Sequence, residues 1–446
     1  MPRRVLITGL GAVTGFGVGI VPLWGALLAG RSCLGRITRF DASGFRCGLG
    51  AEIPPGFSAK DFLPKYYRKA VKVMARDIEI AVAAAKVAVE NAGLVTRMAL
   101  PEDEHALATG MTYRPERMGC QIGAGMIAAE MDELTAAFAT ARSDDGGAAG
   151  GGVDLRLWGA SGMDNLTPLW LLKYLPNMLA CHVTIIHGAE GPSNTITCSE
   201  ASGLLSLGES MRVIERGSAD LCFSGGAESK INPMGVIRQD LAGRLAPSGD
   251  HTEGSSLVRP YDEGTQGTLL GEGGGILILE EAASASARGA NAYAEVAGFG
   301  AGASLPWYGQ NGPDEGYVGA LESALEDAGI RADQVDALAP LASGVREVDA
   351  AESGALRAVF GSRIGRIPMI TLCGQVGNTM AGAGGLQAAV GAMCLREQLL
   401  PARLHAGTPG ELNAGASPAM EKRMEHVLVC TGSLGGQNAA MVLRRI

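Results

Sequence analysis

Residues 188–228, GAEGPSNTITCSEASGLLSLGESMRVIERGSADLCFSGGAE, constrain this chain most. Residues 193–197 are β-prone. Residues 201–216 carry Leu204, Leu205, Leu207, Met211 and Ile214 at roughly helical spacing. Residues 219–224 form a second apolar strand, closed by Gly225 and Gly226. The order is strand, sharp turn, buried helix, strand. The first turn of such a helix leaves backbone N–H groups unpaired, and the helix dipole favours negative charge there. Many enzymes hold a nucleophile at that point; this chain holds Glu200.

The rest of the chain repeats the alternation. Residues 5–8 read as a strand, 64–93 as one long helix, 119–125 as a strand, 128–141 as a helix, 168–181 as a short apolar helix and 183–187 as a strand. Residues 97–117 read as a polar, irregular insertion, and 144–152 as a glycine-rich loop. A buried strand is expected at 276–279 and another at 294–300, which echoes the opening strand and its GLG turn. Helices are expected at 316–328, 347–359 and 384–398, and strands at 336–341, 368–372, 427–431 and 439–443. Strand–helix alternation in two similar halves predicts an α/β protein with duplicated, mostly parallel sheets, divided as 1–255 and 256–446.

Several function classes are disfavoured. A net charge of −9 gives no support to nucleic-acid binding. It would also repel an acidic carrier protein unless a local basic patch exists. The nine cysteines are odd in number and contain no CxxC pair, which points to reduced thiols in a cytoplasmic protein and to no zinc site. Residues 5–30 carry no charge and follow Arg3 and Arg4, which imitates a membrane anchor. Seven glycines and Pro22 break that stretch into a strand, a glycine loop and a short helix, so no membrane role is expected. Gly9 and Gly11 tempt a dinucleotide-binding reading, but Thr14 stands where the third glycine belongs, and no strand ending in an acidic residue follows at the expected distance.

The landmarks RVLITGLGAV (4–13), GPS (191–193), GSAD and SGGAE (217–228), RPYDEG (259–264), GEGGGILILEE (271–281), AEVAGFG (294–300) and GSLGGQN (432–438) are each weak alone. Their order and spacing are specific, and over almost its full length the chain resembles the β-ketoacyl-acyl carrier protein synthases of the thiolase superfamily. The resemblance implies a five-layered αβαβα sandwich, a dimer with the strand before Glu200 near the two-fold axis, no cofactor and no metal. It also implies four catalytic groups: an acyl-accepting Cys at the central turn, a His from an HGT motif, a His from a GH motif, and a Lys before the GH motif.

By position, this chain holds Glu200 in the Cys slot, Leu341 in the first His slot, Cys373 in the Lys slot and Asn378 in the second His slot. A glutamate cannot carry a thioester-linked chain, and a leucine donates no hydrogen bond to an enolate. None of His105, His182, His187, His251, His405 and His426 falls in a catalytic slot. The gate position holds Leu434 in place of the usual Phe.

The resemblance is therefore greatest to the chain length factors, the ketosynthase β subunits of type II polyketide systems, although these usually carry Gln where Glu200 stands. The implied partners are a ketosynthase α subunit, as a heterodimer, and an acyl carrier protein. Residues 168–181 and the segment after Met126 would line the acyl tunnel. Other readings stay open. Glu200 could serve only its helix terminus, face a residual acyl cavity, or act as a general base on a carrier-bound chain. Cys198 could be the nucleophile, although two residues along a strand displace it by roughly 6–7 Å. The chain could also be a scaffold with no tunnel role.

Overall fold

The structure is a computed structural model that describes residues 3–105, 110–142, 152–305 and 314–446. Ten strands join in one sheet among these residues. Its path is built from β1 (Val5–Thr14), β2 (Met118–Gly123), β3 (Ser193–Ile196), β4 (Leu221–Glu228), β5 (Gly273–Glu281), β6 (Ala294–Ala303), β7 (Ala337–Ala339), β8 (His426–Gly432) and β9 (Gln437–Arg444). The order is β7–β8–β9–β6–β1–β5–β4–β2–β3, with Gly17–Val18 hanging off β1. β1 pairs antiparallel with β5 along most of its length and with β6 over Val5–Ile7, so it joins the two halves.

Six helices build the layers: α1 (Arg76–Asn91), α2 (Met178–His187), α3 (Ser202–Glu215), α4 (Glu315–Asp327), α5 (Arg346–Phe360) and α6 (Ala383–Glu397). α1 and α2 cover the outer face of the first half-sheet, and α4 and α5 that of the second. α3 and α6 lie between the halves. The five helix and sheet layers are those the thiolase-like reading expects.

Strand periodicity explains the sorting. On β5, Ile276 and Ile278 pack with α1, while Leu277 and Leu279 face the middle layer. On β8, Val427 and Val429 face the middle and Leu428 and Cys430 face outward. Strands covered on both faces therefore read as continuous apolar runs. α6 is buried on every side from Ala383 to Leu395, as a helix between two sheets must be.

Several local expectations are corrected. The sheet is mainly antiparallel: only β4–β2, β2–β3 and β7–β8 are parallel among the strand pairs of its path. β8 and β9 are joined by a turn too short for a crossover, which forces antiparallel pairing. The helix expected at 64–93 is two elements. Lys65–Val73 is a 3-10 helix, and extended backbone at Met74 and Ala75 separates it from α1.

The strand expected at 183–187 is the second half of α2. The β-branched run there misled the reading, but Leu179, Val183 and Ile186 are buried at helical spacing. Between 168 and 177 there is only the 3-10 turn Trp170–Tyr174, and the helix expected from 128 starts at Met131. Residues 368–372 form no strand; one bridge joins Met369 to Leu338. The expected loop at 144–151 lies outside the described residues. Residues 5–30 do divide into β1, Gly17–Val18 and the helix Ile20–Leu28. Among the described residues no helix is long and apolar enough to cross a membrane.

Candidate functional site

β3 delivers the chain to the sharp turn. Ser199–Ala201 is a single 3-10 turn, and α3 starts at Ser202. Ser199 takes a left-handed φ of 52°, unusual for a residue with a Cβ. Ser202 fixes the bend: its hydroxyl accepts the Cys198 N–H at 2.7 Å and donates to the Ser199 carbonyl at 2.6 Å.

The turn is pressed against Met380–Gly382 by backbone contacts. A Cβ on Gly226 would sit 2.1 Å from the Ala381 carbonyl oxygen, and one on Gly203 2.7 Å from it. β5 meets α6 in the same way, with a Cβ on Gly275 2.5 Å from the Gly385 carbonyl carbon. Gly226→Ala is expected to cost about 1–3 kcal/mol by overpacking, read as a fall in unfolding free energy by denaturant titration.

Glu200 has no exposed surface. One carboxylate oxygen pairs with the Arg244 guanidinium and accepts the Asn378 amide at 3.2 Å. The other accepts the Ser199 hydroxyl at 2.6 Å. Burial pushes its pKa up, but the Arg244 charge and the hydrogen bonds from Ser199 and Arg244 outweigh it and hold the carboxyl below its usual range. Arg244 is itself buried, and Gln239 accepts its other terminal nitrogen at 3.0 Å. Sequence reasoning required a partner for a buried Glu200. It did not find Arg244, because nothing in the spacing selects it from the other arginines.

Asn378 thus meets Glu200 directly, and its carbonyl side accepts the Met380 N–H at 2.8 Å. Cys373 and Leu341 meet each other: the thiol donates to the Leu341 carbonyl at 3.3 Å. Burial, with the charges of Asp349, Glu352 and Glu200, pushes that thiol far up. Leu341 packs with Val345, Val348 and Ala383, and Leu434 joins this apolar cluster.

The loop carrying Leu341 is nevertheless tightly held. Glu352 accepts the Leu341 and Ala342 N–H groups at 3.0 and 2.9 Å and the Tyr261 and Tyr317 hydroxyls at 2.6 and 2.7 Å. Asp349 accepts the Ser343 N–H and hydroxyl at 3.0 and 2.9 Å. Burial and the Glu352 charge push Asp349 up to about 7 against these bonds.

Cys198 lies half-buried at the start of the turn, and burial pushes its thiol up. The six histidines are engaged elsewhere: His105 on Leu100, His251 on Ser256, His405 on Pro260, His426 on Gln334, His182 on Tyr67 and His187 on Thr96. His187 ends α2, fully buried and stacked on Phe223. Chemically the turn offers a saturated carboxylate, with no imidazole beside it and no thiolate-favouring charge on Cys198.

The profile of the "Beta-ketoacyl synthase, N-terminal domain" matches residues 2–285, and that of the corresponding "C-terminal domain" matches residues 293–407. The chain belongs to the β-ketoacyl synthase family. Its similarity to curated β-ketoacyl synthases spans the whole chain. It is 28% identical to 3-oxoacyl-[acyl-carrier-protein] synthase 2 of Coxiella burnetii over 452 residues, covering 100% of this chain and 99% of that one. It is 30% identical to "Putative polyketide beta-ketoacyl synthase 1" of Streptomyces halstedii over 455 residues, covering 99% and 98%. Among solved structures, "The ishigamide ketosynthase/chain length factor" superposes with a TM-score of 0.81 at 25% identity over 100% of both chains. A β-ketoacyl synthase from Burkholderia phymatum also superposes at 0.81, with 24% identity.

In this member of the family the buried histidines give a pH test. Burial pushes His182 down to about 4 and His187 to about 3. The unfolded imidazole titrates near about 6.5, so below that pH the unfolded chain binds more protons. The contribution is full above about pH 6.5 and lost as pH falls toward the folded values. The fall in unfolding free energy between about pH 7.5 and about pH 5 should be smaller by roughly 2 kcal/mol in His187→Asn than in the wild type.

Proposed function

We propose that this chain is a non-condensing ketosynthase-like subunit, a chain length factor. It pairs with an active ketosynthase, shapes the acyl tunnel at their interface and sets chain length in polyketide or fatty-acid-like synthesis. The observation that carries this reading is the state of Glu200. It stands where the resemblance expects a cysteine, buried, ionised and bonded on both oxygens. The other expected catalytic slots hold Leu341, which has no side-chain donor, Cys373, whose thiol donates to the Leu341 carbonyl, and Asn378, whose amide donates to Glu200.

Two surfaces support pairing. β3 ends the sheet, so its outer edge has no strand partner among the described residues, and the Asn194 side chain accepts the Thr195 N–H there at 2.8 Å. Much of the exposed large apolar surface lies just before it, including Met126, Met131, Phe138, Leu155, Leu171 and Ile185. A solved neighbour is itself described as a ketosynthase/chain length factor.

A third surface suits an acidic carrier protein. The 3-10 segment Lys65–Val73 exposes Lys65, Arg68, Lys69 and Lys72, and no carboxylate pairs with them among the described residues. This is the local basic patch that a chain of net charge −9 needs.

Co-expression with a condensing ketosynthase should give a stable one-to-one complex in which intact mass shows acyl groups only on the condensing subunit. Glu200→Gln/Arg244→Met removes both buried charges together and keeps the volumes nearly unchanged, so product output should stay within about twofold of wild type. A self-sufficient homodimer that transforms an acyl-carrier substrate, and loses that activity in the double variant while staying folded, would sink the proposal in favour of a general base.

A further inference from the structure

A buried charge cluster stands beside the segment that follows β2. Lys230 is 6% exposed, pairs with Glu228 and donates to the Met126 carbonyl at 2.6 Å. Glu228, at the end of β4, accepts the Ala381 N–H at 2.8 Å. Asp77, in the first turn of α1, accepts the Ser229 N–H at 3.2 Å. Burial opposes the Lys230 charge, but Glu228 and Asp77 outweigh it, with Arg238 opposing. Gly125 lies so close to Glu228 that a Cβ there would overlap the carboxylate.

Residues 125–129 follow β2 in neither helix nor strand. Ile127 and Ala128 are buried, while the Met126 side chain is 72% exposed. The Ala124 N–H is held by Ile196 at 3.0 Å, and the Glu130 N–H by the Tyr174 hydroxyl at 3.2 Å. Between them, the Lys230 bond is the one hydrogen bond that reaches the segment among the described residues. A buried ammonium is costly to keep unless it is fully paired. Here Glu228 pairs with it directly, Asp77, which burial pushes up to about 7, adds less, and its remaining contact is this backbone oxygen.

We propose that Lys230 is a positioning residue that fixes the backbone of residues 125–129, and with it the shape of the wall this chain presents to the acyl tunnel. The inference rests on the chain-length reading above. Glu228 serves both sides at once: it holds Lys230 toward that wall and Ala381 toward Asn378 and Glu200.

The test compares Glu228→Gln with Glu228→Gln/Lys230→Met. Gln keeps an acceptor for Ala381 and removes one charge; the added Met removes the other charge together with the bond to Met126. In the isolated chain, backbone amides in 124–130 should exchange at least about tenfold faster in the double variant than in Glu228→Gln. Lys230→Arg, which keeps a donor, should exchange as wild type does. In the complex with a condensing ketosynthase, the double variant should keep its one-to-one assembly while the product-length distribution broadens. Equal exchange in the two variants overturns the proposal, as does faster exchange with an unchanged distribution. If omitting the wild-type chain leaves the ketosynthase product unchanged, the chain-length reading fails instead, and the exchange comparison alone decides whether Lys230 is the anchor.

Discussion

Arg244→Met should cost the folded chain about 3–5 kcal/mol, because it leaves the Glu200 carboxylate buried without its counter-charge. Glu200→Gln/Arg244→Met should recover most of that loss, since both charges are then gone and the volumes are nearly kept. A double-mutant cycle by denaturant unfolding gives the coupling directly. pH provides a second readout. In the wild type the Glu200 carboxyl is held below its usual value, so its contribution is full above the unfolded pKa and lost as pH falls through the folded one. In Arg244→Met burial is no longer offset and the folded pKa rises above the unfolded one. The variant should therefore lose stability as pH rises between those values, opposite in sign to the wild-type pair. Equal stability of Arg244→Met and the double variant would mean that Arg244 does not offset the buried Glu200 charge.

The second large effect is expected at the apolar face. Leu171 is 55% exposed and Ile185 49% exposed in the isolated chain, so a charge at either position should leave its own stability within about 0.5 kcal/mol. In the proposed heterodimer, the same charge would be buried without a partner. Leu171→Asp and Ile185→Asp should each weaken association by about 2–4 kcal/mol, roughly thirty- to a thousand-fold. Gel filtration and sedimentation against the wild-type complex would show this. Full-strength association by both variants would place the partner on another face.

Much of the frame was legible because strand and helix periods are burial patterns. β4, β5 and β8 read as apolar runs between two helix layers, α3 keeps helical spacing, and α6 is buried all round. What failed was local competition. Residues 183–186 are β-branched, yet their burial repeats as in a helix. Residues 64–75 have helical composition, yet the chain turns extended at Met74 and Ala75 before α1. Strand direction was misread because alternation does not report how strands interleave: β5 enters antiparallel between β1 and β4 from far along the chain.

The candidate site was legible at Glu200 and Asn378, which occupy one contact. Arg244 and Lys230 were not, because a long-range charge partner leaves no periodic trace. Each is found only once folding brings its carboxylate within reach.

The backbone contacts at Gly203, Gly226 and Gly275 bear on how such a chain can change over generations. Any missense substitution of a glycine codon introduces a Cβ, and at these positions the space is taken by another main chain. The frame around the turn is therefore nearly closed to single mutational steps. The side chains at 341, 373 and 378 project from that frame without building it, whereas Glu200 is tied to Arg244 and the two would have to change together. On the chain-length reading proposed above, reactivity is the easily surrendered trait and shape the inherited one.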